Sequence, residues 1–185
     1  LTVRTDGYVR LDDVLAAMHH LTPTADEVRA VVATCPKQRF ALLTEDAVEY
    51  IRANQGHTID GLDDEQMLQP LGAPALAELR EAVHGTFLSS WPAIRSGGLR
   101  RMARKHVHMA TDLPGESGVI SGMRRSAEVL VWVDLLAAHR AGVPFFRSAN
   151  SVILTPGLGD EGTVPPSCFS RVIERRTGKE LEVGD

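Results

Sequence analysis

The side chains best suited to chemistry fall in five short segments. They are Lys37-Gln38-Arg39-Phe40, Arg52-Ala53-Asn54-Gln55-Gly56-His57, His84-Gly85-Thr86, Arg104-Lys105-His106-Val107-His108 and Arg147-Ser148-Ala149-Asn150. Each sets arginine, histidine or an amide among glycines or other small residues. Forked cations, neutral imidazoles and closely approached backbone are the groups that hold phosphates and sugars. No segment is specific alone. The ordered set predicts a phosphate-rich nucleotide substrate.

Every segment also has a plainer use. Arg39 sits where a predicted helix gives way to a strand, and it could simply pair with Glu45 or Glu49 at the surface. Gln55-Gly56-His57 ends a predicted hairpin. Its glycine admits a ligand to the backbone, or merely makes a turn. His84-Gly85-Thr86 closes a predicted strand, where a histidine reaches a ribose hydroxyl or packs in the core. His106 and His108 would share a strand face, so zinc is one reading. A third ligand at metal spacing is hard to find, which makes polar contacts in a pocket the expected use. Arg147-Ser148-Ala149-Asn150 reads as a phosphate or sugar contact, or as a β-turn. The loop 118–125 ends in Arg124-Arg125 and suits a lid, a phosphate contact or a plain exposed loop.

Absent patterns narrow the chemistry. No GxGxxG follows a strand, no GxxxxGK[ST] occurs, and no GxSxG marks a serine hydrolase. A site of arginine, histidine and glycine suits a reaction in which the substrate brings its own nucleophile. The protein then positions it and stabilises charge.

The chain of 185 residues is long enough for one substantial domain or two small lobes, and its 43% apolar and 24% charged residues are ordinary globular composition. A net charge of −4 argues against coating nucleic acid by bulk positive charge. Yet 17 of the 20 basic residues are arginine, the side chain that grips phosphate bidentately. Arg95, Arg100, Arg101, Arg104 and Lys105 cluster, although such a run is also a common solvated helix face. Cys35 and Cys168 lack CxxC spacing, which fits a reducing compartment, cytoplasmic or nuclear. No apolar run approaches a membrane span and no signal peptide is visible. The chain opens at Leu1 rather than methionine, as a fragment would.

These residues need elements to position them. The expected class is α+β. In residues 1–60, a helix of about three turns starts near Leu11. A second follows the capping-box spacing of Thr24-Ala25-Asp26-Glu27, with Val28, Val31 and Val32 as its buried face. Strands at 39–43 and 48–53 complete a winged-helix pattern. Residues 61–78, acidic and proline-bearing, read as a linker. Residues 79–185 form a second lobe, with strands at 82–86, 107–110, 128–133, 145–148 and 152–155. Its helices are expected near 88–95, 135–139 and 166–175. The run Val129-Leu130-Val131-Trp132-Val133 should be buried on both faces.

Taken together, Asp6-Gly7-Tyr8-Val9, KQRF, QGH, HGT, RKHVH, SGMR, FFRSAN and the closing VPP resemble the NAD-dependent RNA (tRNA) 2′-phosphotransferases. The match runs from about Asp6 to Phe169 in the family's order. The longer forms VISGMR and PFFRSANSVILTPG look more like its eukaryotic and fungal branch.

The resemblance implies a winged-helix lobe and a split-sheet lobe of the ADP-ribosyltransferase type. NAD+ would bind in the latter as co-substrate, without a metal, and RNA across the cleft. It implies attack of an internal RNA 2′-phosphate, such as that of spliced tRNA, on the ribose C1″ of NAD+, expelling nicotinamide. The ribose 2″-hydroxyl then attacks phosphorus, giving 2′-OH RNA and ADP-ribose 1″,2″-cyclic phosphate. Arg39 and Arg104 match catalytic arginines. His84, Gly85, Thr86 and His108, with Gly122, Arg124, Arg147 and Ser148, match the NAD+ side. Lys37, Arg52, Gln55, His57 and Lys105 match the RNA or phosphate side. Val152 stands where many related transferases keep a glutamate. The family's upstream Arg-His pair would precede Leu1, and neither Arg4 nor Arg10 replaces it. A monomer is expected. The competing readings are an ADP-ribosyltransferase of terminal nucleic-acid phosphates and a non-catalytic winged-helix RNA-binding module.

Overall fold

The computed structural model describes residues 1–59, 61–113, 123 and 126–183. The chain divides into two compact units, Leu1–Leu68 and Gln69–Asp185. Both mix short helices with antiparallel strands.

The first unit runs β1 (Val9–Arg10), α1 (Leu11–Ala17), α2 (Ala25–Thr34), β2 (Phe40–Glu45), β3 (Val48–Ala53) and α3 (Asp64–Met67). Its sheet has the order β1-β3-β2. Thr24 and Glu27 form a full capping box at the start of α2, so two orphan N–H groups are satisfied at once. The hairpin closes through Asp46 and Ala47 at φ of 50° and 61°. Two successive positive φ values are what a tight hairpin turn needs to match strand twist. Two expectations fail here. α1 has seven residues and stops at Met18, ahead of the turn that leads to Pro23. α2 packs on α1 and β2, yet none of its residues is buried, and Val31 is 60% exposed.

The second unit continues with β4 (Gln69–Pro70), α4 (Ala73–Leu79), β5 (Glu81–Thr86), α5 (Trp91–Gly97), β6 (Leu99–Arg100), β7 (Val107–Met109), β8 (Val129–Asp134), α6 (Leu135–Arg140), β9 (Phe146–Arg147), β10 (Ile153–Thr155), β11 (Thr163–Val164), a single 3-10 turn (Pro166–Cys168) and β12 (Phe169–Glu174). One sheet runs β12-β8-β5, another β4-β9-β10-β7, and β11 pairs with β6. The two larger sheets touch where Val83 and Ala110 exchange backbone hydrogen bonds of 2.8 and 2.9 Å. That single bridge aligns β5 with β7, and with them His84 and His108.

The stretch 61–78 is not an irregular linker. Pro74 lies in the first turn of α4, where a missing N–H costs nothing. Pro70 sits on the edge strand β4, the one place a sheet tolerates it. Leu71 and Leu76 are buried in the second unit's core. The helix expected near 166–175 is also absent. Phe169–Glu174 pairs with β8 through a bulge between Phe169 and Arg171. The bulge breaks strict alternation and lets both Phe169 and Val172 face inward, a spacing of three that imitates a helix.

The central strand β8 is buried on both faces, as its composition predicts. Val129, Val131 and Val133 enter the main core with Leu76, Phe145 and Ile153. Leu130 joins Val83, Ala110, Met123 and Ala127 in a smaller cluster on the other face. Burying such side chains stabilises by about 1.5–3 kcal/mol each. Val83, Ala110 and Met123 of the smaller cluster line the site.

Candidate functional site

A cavity of about 390 Å³ opens in the second unit, lined by the end of β5, the 100–106 loop and β7. This is within the size range of small-molecule sites. His84 and His108 both line it. The Nδ1 of His84 lies 2.8 Å from the carbonyl oxygen of His108, and the Nδ1 of His108 lies 3.0 Å from that of His106. A ring nitrogen facing a carbonyl must carry the proton and donate it. In each neutral ring the Nε2 is therefore an acceptor. The Nε2 of His108 is buried and has no hydrogen-bond partner among the described residues.

Electrostatics hold both rings neutral. Burial pushes the His84 imidazole below its ordinary range, opposed by its bond to the His108 carbonyl and reinforced by the charge of Arg104. Burial pushes His108 down to about 4, again with help from Arg104. Neither ring is poised as a base near pH 7. What the pair offers is a fixed set of acceptors for hydroxyl donors, beside a permanent cation.

Arg104 is carried by an ordered loop. The Arg101 guanidinium donates to the carbonyl oxygens of Arg104 at 3.0 Å and Asp160 at 2.8 Å. Its methylene stem lies against Gly162, where a Cβ would fall 2.3 Å from Cδ. Arg100 pairs with Glu161 at 3.0 Å. Met102 stands 77% exposed on the cavity rim at φ of 56°. Arg100 and Arg101 were visible in the sequence only as part of a charge cluster. Nothing in residue type marked Met102 or Arg101 as parts of the site.

Gly85 has a use the sequence did not suggest. A Cβ there would meet Met123 at 2.4 Å and Ala127 at 2.9 Å, so glycine makes room for Met123 within the cavity lining. Thr86 lines the cavity at the end of β5 and is buried. His106 is buried edge-on to Phe146, with ring centroids 6.2 Å apart.

Arg147 and Ser148 are not among the described residues that line this cavity. The Ser148 hydroxyl donates to Asn150 Oδ1 at 2.7 Å and accepts from the Val152 N–H at 3.0 Å. It is buried and closes a turn with Ser151 at φ of 64°. Val152 is fully buried. Gly122 and Arg124 lie outside the described residues. Lys105 follows Arg104 and is half-buried.

In the first unit, Arg39 is exposed just before β2. The carboxylates offered to it by the sequence are taken: Glu45 accepts from Arg4 at 2.7 Å, and Glu49 from Arg29 at 2.9 and 2.5 Å. Its local turn creates a second electrostatic feature. Hydrogen bonding from the Arg39 and Lys37 backbone, with the Arg39 charge, lowers the Cys35 pKa against a smaller cost of burial. Burial raises that of Cys168 instead. Cys35 should therefore alkylate well before Cys168 at pH 7.5, which peptide mass mapping after brief iodoacetamide treatment will check. Equal rates would refute the lowered pKa of Cys35.

Arg52 is engaged within its own unit. Its guanidinium stacks 4.6 Å from the Tyr8 ring centroid and donates to the Asp6 carbonyl at 3.0 Å. Gly7, at φ of 81°, leaves space for Met67 and brings His57 alongside. The Gln55 Oε1 is buried without a hydrogen-bond partner among the described residues. Arg52 and His57 thus share one neighbourhood around the Gly7 turn.

Among the described residues, no group of three or more His, Cys, Asp or Glu is placed to hold a metal ion. No described helix is long and apolar enough to cross a membrane.

The fold and site describe a mixed α and β protein with a histidine- and arginine-lined pocket. Residues 1–157 match the model of the RNA 2′-phosphotransferase, Tpt1 / KptA family, and the chain belongs to that family. It is 44% identical to tRNA 2′-phosphotransferase 1 of Danio rerio, over 92% of this chain and 76% of that protein. It is also 44% identical to tRNA 2′-phosphotransferase 1 of Homo sapiens, over 99% of this chain and 72% of the relative. The tRNA 2′-phosphotransferase of Saccharomyces cerevisiae is 32% identical over 98% of this chain and 79% of its own length.

Proposed function

We propose that this chain removes an internal 2′-phosphate from RNA, of the kind left at a tRNA splice junction, by transferring it to NAD+. The reading is supported by the family and by relatives named as tRNA 2′-phosphotransferases. The observation that carries it is the pair of neutral imidazoles beside Arg104. His108 keeps a buried acceptor with no partner among the described residues, which suits a ribose hydroxyl. NAD+ supplies an electrophilic ribose carbon and a nicotinamide leaving group. The chain's own residues then bind, orient and stabilise charge.

In this reading the first unit is a winged-helix RNA-binding lobe and the second an ADP-ribosyltransferase-like lobe. His84 and His108 accept from ribose hydroxyls, and Thr86 lines the same pocket. Arg39 with Lys37 in the first unit, and Arg104 with Lys105 in the second, are the cations this reading assigns to the RNA phosphate. Gly85 serves indirectly, by seating Met123. Arg52 and His57 shape the Gly7 turn. The first step needs no general base, because the attacking phosphate is already anionic; in the second, the proton of the 2″-hydroxyl ends on the departing RNA 2′-oxygen. Burial of Val152 is compatible with that.

A 2′-phosphorylated oligonucleotide tests this. It should lose its phosphate only when NAD+ is added, with nicotinamide released in equal amount. Phosphate loss without NAD+ would overturn the proposal.

A further inference from the structure

We infer that Asn54 is a positioning residue for Arg39. It follows the last residue of β3 and lies across from the start of β2. Its backbone N–H donates to the Arg39 carbonyl at 2.8 Å, and its side-chain Nδ2 donates to the Gln38 carbonyl at 2.6 Å. One buried residue, 7% exposed, thus holds the consecutive carbonyls of Gln38 and Arg39, the junction from turn to strand.

That junction needs holding. Gln38 sits at φ of 42°, a left-handed conformation that disfavours any residue with a Cβ. Its N–H closes a tight turn onto the Cys35 carbonyl at 2.9 Å. Gln38 and Arg39 are both exposed, so packing does not fix them. The strand ladder fixes Arg39 through one bond, and the Asn54 amide supplies the other. Its Oδ1 is buried with no hydrogen-bond partner among the described residues, so the Nδ2 bond to Gln38 is what orients the amide. A carboxylate at position 54 could not make that bond, because both of its oxygens are acceptors.

Asn54 therefore acts through Arg39 and touches no substrate itself. The inference rests on the proposed role of Arg39 in gripping the 2′-phosphate. Small displacements of a positioned group cost far more than their size suggests.

The experiment compares the affinity of the full chain for a 2′-phosphorylated oligonucleotide with that for its 2′-hydroxyl counterpart. The ratio isolates the phosphate contribution. It is measured for wild type, Asn54→Ala, Arg39→Ala and the double variant, with Asn54→Ser as a smaller perturbation should the alanine variant fold poorly. The expected result is a loss of about tenfold in the ratio for Asn54→Ala. No further loss should follow when Arg39 is already alanine, since coupled residues are not additive. A ratio unchanged by Asn54→Ala, or an equal loss in the Arg39→Ala background, overturns the inference. Amide ¹⁵N relaxation at Gln38 and Arg39 gives an independent arm, and both should become mobile in the variant. If wild type does not prefer the phosphorylated oligonucleotide, the phosphate role of Arg39 fails. The Asn54 clamp is then judged by relaxation alone, and amides as rigid as in wild type overturn it.

Discussion

Arg39→Ala and Arg104→Ala are each expected to lower turnover by about a hundredfold or more, the usual loss for a charge-stabilising donor. The loss should fall unevenly on the proposed reaction. In its first part nicotinamide leaves and the ribose gains positive character. A guanidinium helps there only by holding the phosphate. In the second part phosphorus becomes pentacoordinate and negative charge builds on its oxygens. A forked cation then interacts more strongly with the transition state than with the ground state, which is what lowers a barrier. RNA whose 2′-phosphate is esterified to ADP-ribose should accumulate in both variants, while nicotinamide release stays closer to wild type. Gel separation of the oligonucleotide with parallel nicotinamide assay reads both. A variant that releases final product at the wild-type rate removes that arginine from the assignment, as does one that blocks nicotinamide release alone.

The second large effect concerns His108. Its Nδ1–H is committed to the His106 carbonyl, and its Nε2 is the buried acceptor assigned to ribose. His108→Ala should weaken NAD+ binding by about ten- to a hundredfold, the cost of leaving a desolvated hydroxyl unmatched. The pH dependence follows from a folded pKa near 4, below the ordinary 6.5. NAD+ affinity should stay flat from pH 8 to about 5, then fall as Nε2 gains a proton and ceases to accept. Stability moves the same way. Between pH 6.5 and 4 the unfolded chain binds a proton that the folded ring refuses, so stability drops as pH falls through this window. His108→Asn should flatten that part of a denaturant-midpoint profile. A binding transition centred on pH 6.5 would show that the ring titrates freely and contradict the site.

Much of this site was legible because its chemistry is local. His-Gly-Thr and His-Val-His each place a histidine by strand spacing alone, and one backbone bridge between Val83 and Ala110 aligns them. The run from Val129 to Val133 announced a strand buried on both faces by composition. Features decided by distant partners were not legible. Gly85 is small for the sake of Met123, which is far away in sequence. Arg52 stacks on Tyr8, and Arg101 earns no motif yet braces the loop that carries Arg104. Prolines misled for a related reason. Pro70 and Pro74 read as breakers, but an edge strand and a first helical turn have no N–H to lose. The bulge in β12 likewise disguised a strand as a helix.

The central claim is that NAD+ accepts the RNA phosphate, and the fate of that phosphate tests it most directly. An oligonucleotide carrying a ³²P-labelled internal 2′-phosphate is incubated with the protein and NAD+, and the labelled products are identified by mass. The account predicts that the label leaves the RNA on ADP-ribose, as its 1″,2″-cyclic phosphate, with a 2′-hydroxyl left behind. Label recovered as inorganic phosphate, or retained on RNA as a stable ADP-ribosyl phosphate, would contradict it.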